Sequence, residues 1–312
     1  MGRNFGLGQR DMGRAGKVAL QNGVGSGEIS FSTVATNTDR WNAFTAWAKA
    51  QDVKKMENVT PELVQQYGQA LAQRVREGEM AAATAQNYVS AVNSVMGIAT
   101  KGAWKSVSPT KVCGIEQRSA VRQDMPGALQ RCAYGCAVEA VRDKVGARAE
   151  AVVELARELG LRSKEASLFD ACSALAQAQE QGAVTVSDGT KGGRKREVPI
   201  TREAQMQTLE RAAQAQGVAR AVMPPTEDWK SWREGDLRQA RELVQAHTGG
   251  GLHDLRAAYA CERYEMLTGH AAPCAGGKII DKNRDEVARL AVAEELGHAR
   301  IEIASEYIGG RR

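Results

Sequence analysis

No stretch of this sequence approaches the roughly eighteen consecutive apolar residues that a membrane-spanning helix needs. The amino-terminal run MGRNFGLGQRDMGRAGK has no apolar centre, which excludes a secretory signal. Gly6 stands where a myristoylation signal requires Ser or Thr. Six scattered cysteines form no dense disulfide framework and suit a reducing compartment, so a soluble, cytoplasmic protein without membrane contact is expected. Cys132-x3-Cys136 and the distant His270-x3-Cys274 carry zinc-ligand atom types, but no tight loop joins the two pairs. Cys132 and Cys136 read better as small apolar residues one helical turn apart. A dinucleotide-binding loop is also missing: NGVGSG lacks the GxGxxG spacing and no strand precedes it. No carboxylate cluster of the kind that holds Mg²⁺ presents itself, and no internal repeat is evident.

What is present is a globular composition, 43% hydrophobic and 25% charged, in a chain of 312 residues that can hold two domains. The net charge of +5 is modest but uneven. Residues 1–20 carry Arg3, Arg10, Arg14 and Lys17 against Asp11 alone. Residues 101–122 carry Lys101, Lys105, Lys111, Arg118 and Arg122 against Glu116, and TKGGRKR adds Lys191, Arg194, Lys195 and Arg196. Such clusters suit a phosphate backbone, although each could equally be a solvated surface.

The Gly-rich residues 1–30 read as a flexible basic arm. Three helical patterns follow within a helical domain over 31–105. The first runs from about 37 to 51 with Trp41, Phe44 and Trp47 on one face, where core packing is the better reading than base stacking. The second opens on Thr60-Pro61-Glu62, a cap followed by proline at the first helical position, and runs to about Arg76. The third spans roughly 82–100 with Tyr88, Val92 and Val95 on one stripe. Residues 106–127, with Pro109, Gly114 and Pro126, read as a basic linker. From 128 to 312 the chain reads as a second, mostly helical domain. Inside it AVTV and EVPI alternate around a Gly-rich basic turn, which predicts a β-hairpin. The expected fold class is therefore mainly α, with one small antiparallel β-sheet.

Four short stretches carry possible chemistry. In GLRSKEAS, Arg162 and Glu165 share a helix face, which alone is an ordinary ion pair. Lys191 sits on the hairpin tip. In LHDLRAAYA, His253 and Arg256 are one turn apart, in a chain with only four histidines. In LGHARIEIASEY, Tyr307 follows His298 by nine residues. Taken in order, GLRSKE, KGGRKREVP, HDLR and LGHARIEIASEY resemble the catalytic signature of the tyrosine recombinases, the family of phage-type integrases and of Cre-like and Xer-like recombinases. The resemblance covers about residues 130–307, and the helices at 37–100 look like that family's SAM-like core-binding domain.

The resemblance implies a site-specific recombinase, and at family level the integrase of a mobile element. It would work on double-stranded DNA at specific recombination sites, as a homotetramer, through a 3′-phosphotyrosine intermediate and without a metal or other cofactor. Tyr307 would be the nucleophile, and a covalent intermediate splits one hard step into two reversible ones. Arg162 and Arg256 would fork onto the nonbridging phosphate oxygens. Lys191 would protonate the leaving oxygen, His253 would accept the tyrosine proton, His298 would bond the phosphate, and Glu165 would orient its neighbours. Arg194, Lys195, Arg196, Lys101 and Lys105 are expected to contact DNA. Tyr259, three residues after Arg256, is the nearest rival tyrosine and reads as core. Two departures stand out: only IGGRR follows Tyr307, too short for the tail helix that relatives exchange, and AAYAC follows His-x-x-Arg where His-Thr-Phe-Ala-Thr is commoner. A catalytically idle DNA-binding relative, or single-strand relaxation as by a type IB topoisomerase, remain rival readings.

Overall fold

A computed structural model describes residues 2–311. It divides into two compact units, one ending at Ser119 and the other beginning at Ala120.

The first unit holds four helices: α1 (Met12–Gly25), α2 (Phe31–Ala50), α3 (Pro61–Arg76) and α4 (Ala82–Ala99). The first of them corrects the expected flexible arm over 1–30. Met12, Ala15, Ala19 and Leu20 of α1 are fully buried. The glycines there serve close packing: a Cβ on Gly16 would stand 2.0 Å from Trp41 Nε1, which itself donates to Met12 O at 2.9 Å. Trp41 and Phe44 are buried with Tyr67 of α3 and Val92 and Met96 of α4, so the aromatic stripe is core. Thr60 caps α3 by accepting from Leu63 N at 3.2 Å, with Pro61 next in line. The stretch beyond α4 is irregular, yet Val107, Cys113 and Ile115 are buried in this same core. The expected linker over 106–127 is thus partly folded into the first unit.

The second unit opens with α5 (Arg131–Lys144), α6 (Ala147–Glu158), α7 (Ser163–Leu168) and α8 (Ala171–Gln181). Strands β1 (Ala183–Val186) and β2 (Arg196–Pro199) pair antiparallel, with Val184 opposite Val198 and Val186 opposite Arg196. Then come α9 (Glu203–Gln216), α10 (Trp229–Glu234), α11 (Asp236–Thr248), α12 (Leu252–Thr268), α13 (Lys282–Glu295) and the short α14 (Ser305–Ile308). Mostly helical, with one two-stranded sheet among the described residues, the unit matches the expected class.

Helices α6 and α12 run through the middle of its core, where Leu155, Leu255, Ala257 and Ala258 are fully buried. A charged cluster holds them together. Arg157 of α6, fully buried, forks onto Glu262 of α12 at 2.5 and 3.0 Å, and Arg202 bonds Glu158 at 3.0 Å. Burial alone would raise the Glu262 pKa, but Arg157, Arg131 and Arg202 hold it down at about 2. Losing one member of such a set leaves an uncompensated buried charge, so the cluster fixes how α12 sits. Among the described residues no helix is long and apolar enough to cross a membrane.

Candidate active site

Gly160 closes α6 with φ +63°, and a Cβ there would stand 2.5 Å from the Tyr259 ring. Only glycine fits both constraints. The turn delivers Arg162 to the start of α7, with Glu165 behind it. Glu165 is fully buried and accepts four hydrogen bonds: from Arg162 N at 2.8 Å, Arg162 Nη1 at 2.7 Å, and Arg196 Nη1 and Nη2 at 3.0 and 2.6 Å. Burial pushes its pKa up, yet Arg196 and Arg162 hold it at about 2. The carboxylate is thus an anchor for guanidiniums and no proton carrier near neutrality.

Arg196 corrects one expectation. Its place in a basic run predicts contact with DNA, but its side chain is buried against Glu165 and also donates to Glu295 O at 2.8 Å. The strand alternation explains it: Arg196 shares the inward face of β2 with Val198. Arg194 and Lys195, before the strand, are exposed, as is Lys191 on the turn.

Arg256, on α12, is also fully buried. It donates to the carbonyls of Gly160 and Leu296, which fixes its plane, and its Nε lies 3.4 Å from the Tyr307 hydroxyl. Burial, with Arg162 and Arg196 nearby, lowers its pKa to about 10 against the opposing pull of Tyr307. It remains a cation at neutral pH.

Gly297, two residues past the end of α13, has a φ of +70° that turns the chain so that His298 enters the site. His298 Nε2 is 3.1 Å from the Tyr307 hydroxyl and 3.4 Å from Arg162 Nη2. Burial and then Arg256, Arg162, Arg196 and Lys191 bring the His298 pKa down to about 4. Lys191 is exposed on the turn, and its charge is felt at this ring. The His253 ring lies 5.4 Å, centroid to centroid, from that of Tyr307. Its protein side is packed, which lowers its pKa, and Arg256, Arg122 and Arg162 act in the same sense; the rest of the ring is open to solvent. Tyr307 itself is 3% exposed, its ring 5.5 Å from the Arg256 guanidinium.

The fold therefore brings Arg162 with Glu165, His253 with Arg256, and His298 with Tyr307, three distant stretches of chain, to one place. Lys101 and Lys105 are exposed in the first unit, beyond α4. Tyr259 is core, its hydroxyl donating to Glu295 Oε2 at 2.7 Å. Cys132 and Cys136 are exposed, and no group of possible metal ligands occurs among the described residues. Two residues escaped sequence reasoning. Arg122 donates from its backbone to Ser305 O at 2.9 Å, while its side chain pairs with Asp254, next to His253. Asp254 also accepts from Gly127 N at 2.9 Å. Arg122 had only the signature of a linker charge, and Asp254, although inside HDLR, only that of a helix-capping acid.

Residues 117–262 match the family model described as Integrase. Over those residues, a little under half of its length, the chain is similar to the integrases. A structure of a lambda integrase dimer bound to a COC′ core site has 18% identity, covers 96% of this chain and 78% of its own, and gives a TM-score of 0.58. The XerH site-specific recombinase bound to a palindromic difH substrate has 16% identity, covers 93% and 79%, and gives 0.59. The Tn1549 transposon integrase with transposon right end DNA has 13% identity, covers 95% of each chain, and gives 0.58. At these identities the likeness is one of fold. Among curated proteins no sequence matches.

Proposed function

We propose that this recombinase-family chain cuts and rejoins double-stranded DNA at specific sites through a covalent 3′-phosphotyrosine, and serves to integrate a mobile element. The observation that carries the reading is the Tyr307 hydroxyl, held 3.1 Å from a neutral imidazole and 3.4 Å from a buried guanidinium. In the step proposed, the Tyr307 oxygen bonds to phosphorus as the P–O5′ bond breaks, leaving a 5′ hydroxyl. Arg162 and Arg256 neutralise charge developing on the nonbridging oxygens, and a fixed donor of this kind is typically worth about 3 kcal/mol of barrier. A neutral histidine takes the phenolic proton, and His298 is the ring within reach here, which brings the role expected of His253 toward His298. Lys191, on the exposed turn, supplies the proton to the leaving oxygen. Arg194 and Lys195 contact the DNA backbone, as do Lys101 and Lys105 from the first unit. Assembly as a tetramer on DNA is part of the proposal, since lambda integrase has been captured as a tetramer on a Holliday junction.

The test is capture of covalent protein–DNA adduct from a randomised pool of nicked duplexes. The wild-type chain should select a defined sequence, and Tyr307→Phe should form no adduct while binding that duplex almost as well. Adduct persisting in the Phe variant would move the nucleophile elsewhere. Binding without any adduct would leave a catalytically idle relative, and relaxation of any supercoiled plasmid without site preference would point to topoisomerase-like activity.

A further inference from the structure

Behind the tyrosine lies a second buried arginine that the proposed chemistry does not use. Arg289 of α13 is 1% exposed, and its Nε is shared between the two oxygens of Asp285 at 2.8 and 2.9 Å. Its other two nitrogens leave α13 altogether. Nη1 lies 3.2 Å from Ser305 Oγ and donates to Gly309 O at 2.9 Å, and Nη2 reaches Gly310 O at 3.4 Å. Ser305 and Gly309 stand on either side of Tyr307, two residues away in each direction.

The grip has its own foundation. Asp285, 2% exposed, also accepts from the Tyr264 hydroxyl at 2.8 Å and is 3.3 Å from Arg311 Nε. Gly309 runs at φ +91°, and a Cβ there would meet Cys274 N at 2.7 Å, so the chain leaves the tyrosine pressed against the short turn Pro273–Ala275. Five short residues, Ser305 to Gly309, cannot hold a tyrosine by helix stability alone, because a helix of one turn has not repaid its nucleation cost. The hydrogen bonds of Arg289 beyond α13 go to Ser305 and to the Gly309 and Gly310 carbonyls, and the place of the Tyr307 side chain between Arg256 and His298 depends on where its backbone is held.

We infer that Arg289 is a positioning residue: by binding the segment on both sides of Tyr307 it seats the hydroxyl in line with the Arg256 and His298 groups. This rests on the function proposed above. The same helix carries Arg289 and leads into His298 nine residues later, so one rigid element sets both the tyrosine and the imidazole that meets it. Arg162 and Arg256 are held by other residues, Glu165 and the Gly160 and Leu296 carbonyls, and do not depend on the grip.

That independence makes the test. Removing Arg289 alone would strand the buried Asp285, so the informative variant replaces both by apolar residues of similar size, Asp285→Leu with Arg289→Met, a change that buried ion pairs often tolerate. Three readouts are compared. Backbone amide exchange over residues 305–311 in the free protein should be slow in the wild type and fast in the double variant, with the rest of the second unit unchanged. Adduct formation on the duplex that the wild type selects should fall roughly a hundredfold, the scale expected when a reacting group is misplaced by about an ångström. The third readout adds Tyr307→Phe and supplies hydrogen peroxide as nucleophile. Its oxygen bonds to phosphorus as P–O5′ breaks, its proton passes to the site's base, and the 5′ oxygen leaves protonated. Peroxide cleavage should match that of Tyr307→Phe alone, because the phosphate-binding groups are intact.

Arg289→Lys should recover part of the adduct rate, since an ammonium reaches fewer of the five acceptor oxygens. Unchanged amide protection, an unchanged adduct rate, or equal loss of peroxide cleavage would each overturn the assignment. Should the wild type form no adduct on any duplex, the function proposed above falls and the seating itself is still decided by the exchange measurement.

Discussion

Glu165 and His298 respond to acid in the same direction, for different reasons. The Glu165 carboxyl titrates at about 2 in the folded protein against 4.5 when free, so the unfolded chain takes up its proton first as pH falls between those values. Stability from this group is complete above the free value and lost toward about 2. His298 titrates at about 4 against 6.5, so between those values the unfolded chain binds a proton that the folded one refuses. Here too stability falls with pH. Urea midpoints should therefore decline from about pH 6.5 downward, and His298→Gln should lessen the decline between about pH 6.5 and 4 without altering it below about 4. An unaltered slope in that variant would mean that the histidine is not held neutral by the fold. Glu165→Gln should cost about 3–5 kcal/mol at neutral pH, because Arg196 and Arg256 would stay buried with no counter-charge. At the same scale, Arg162→Lys and Arg256→Lys should each slow adduct formation by more than about tenfold although charge is kept, since an ammonium cannot fork onto two oxygens. Wild-type rates would remove that arginine from the site.

Among the elements, the β1–β2 hairpin carries the clearest division of labour. Its strands point Arg196 inward as a structural cation, while the turn leaves Lys191, Arg194 and Lys195 in solvent. Gly192 and Gly193, at φ +75° and +70°, supply left-handed backbone in the nine-residue connection between the strands. If Lys191 is the acid, Lys191→Ala should be severely slow on ordinary DNA. It should approach wild type on a substrate whose 5′ bridging oxygen is sulfur, a leaving group that needs no proton. Arg256→Ala should stay impaired on both, because charge on the nonbridging oxygens still needs neutralising. Equal defects of Lys191→Ala on the two substrates would pass the role to another cation, with Lys195 first in line. Arg196→Ala should differ from both by lowering thermal stability as well as activity.

For the whole molecule the decisive fact is that two hydrophobic cores are built from separate stretches of chain. Each pairs buried groups within itself: Trp41 bonds Met12 in the first, and Arg157 and Glu262 pair in the second. Residues 120–312 made alone should accordingly fold and unfold in one cooperative transition, followed by far-UV circular dichroism. A molten spectrum with no transition would mean that the first unit is needed to complete the second. DNA affinity should fall in that fragment, with a shallower salt dependence if Lys101 and Lys105 contribute phosphate contacts.

The residues of the site were legible because each motif is local: Arg162 with Glu165, and His253 with Arg256, are one turn apart on helices, and the Tyr307 spacing from His298 is a feature of one short segment. The hairpin was legible from its alternation, and helices α2 to α4 from apolar period and caps. What the sequence by itself determined was therefore every feature carried by neighbours along the chain. Tertiary structure decided the rest. Glycines at 13, 16 and 23 look like a loose arm until Asn42, Trp41 and Ile98 are packed on them in turn, and Arg196 looks like its exposed basic neighbours until Glu165 lies under it. Arg122 and Arg289 act on groups 132 and 16 or more residues distant, Asp254 and Ser305 with its successors. A buried guanidinium is chosen by the carbonyls and carboxylates that surround it, and those arrive only when the chain has folded.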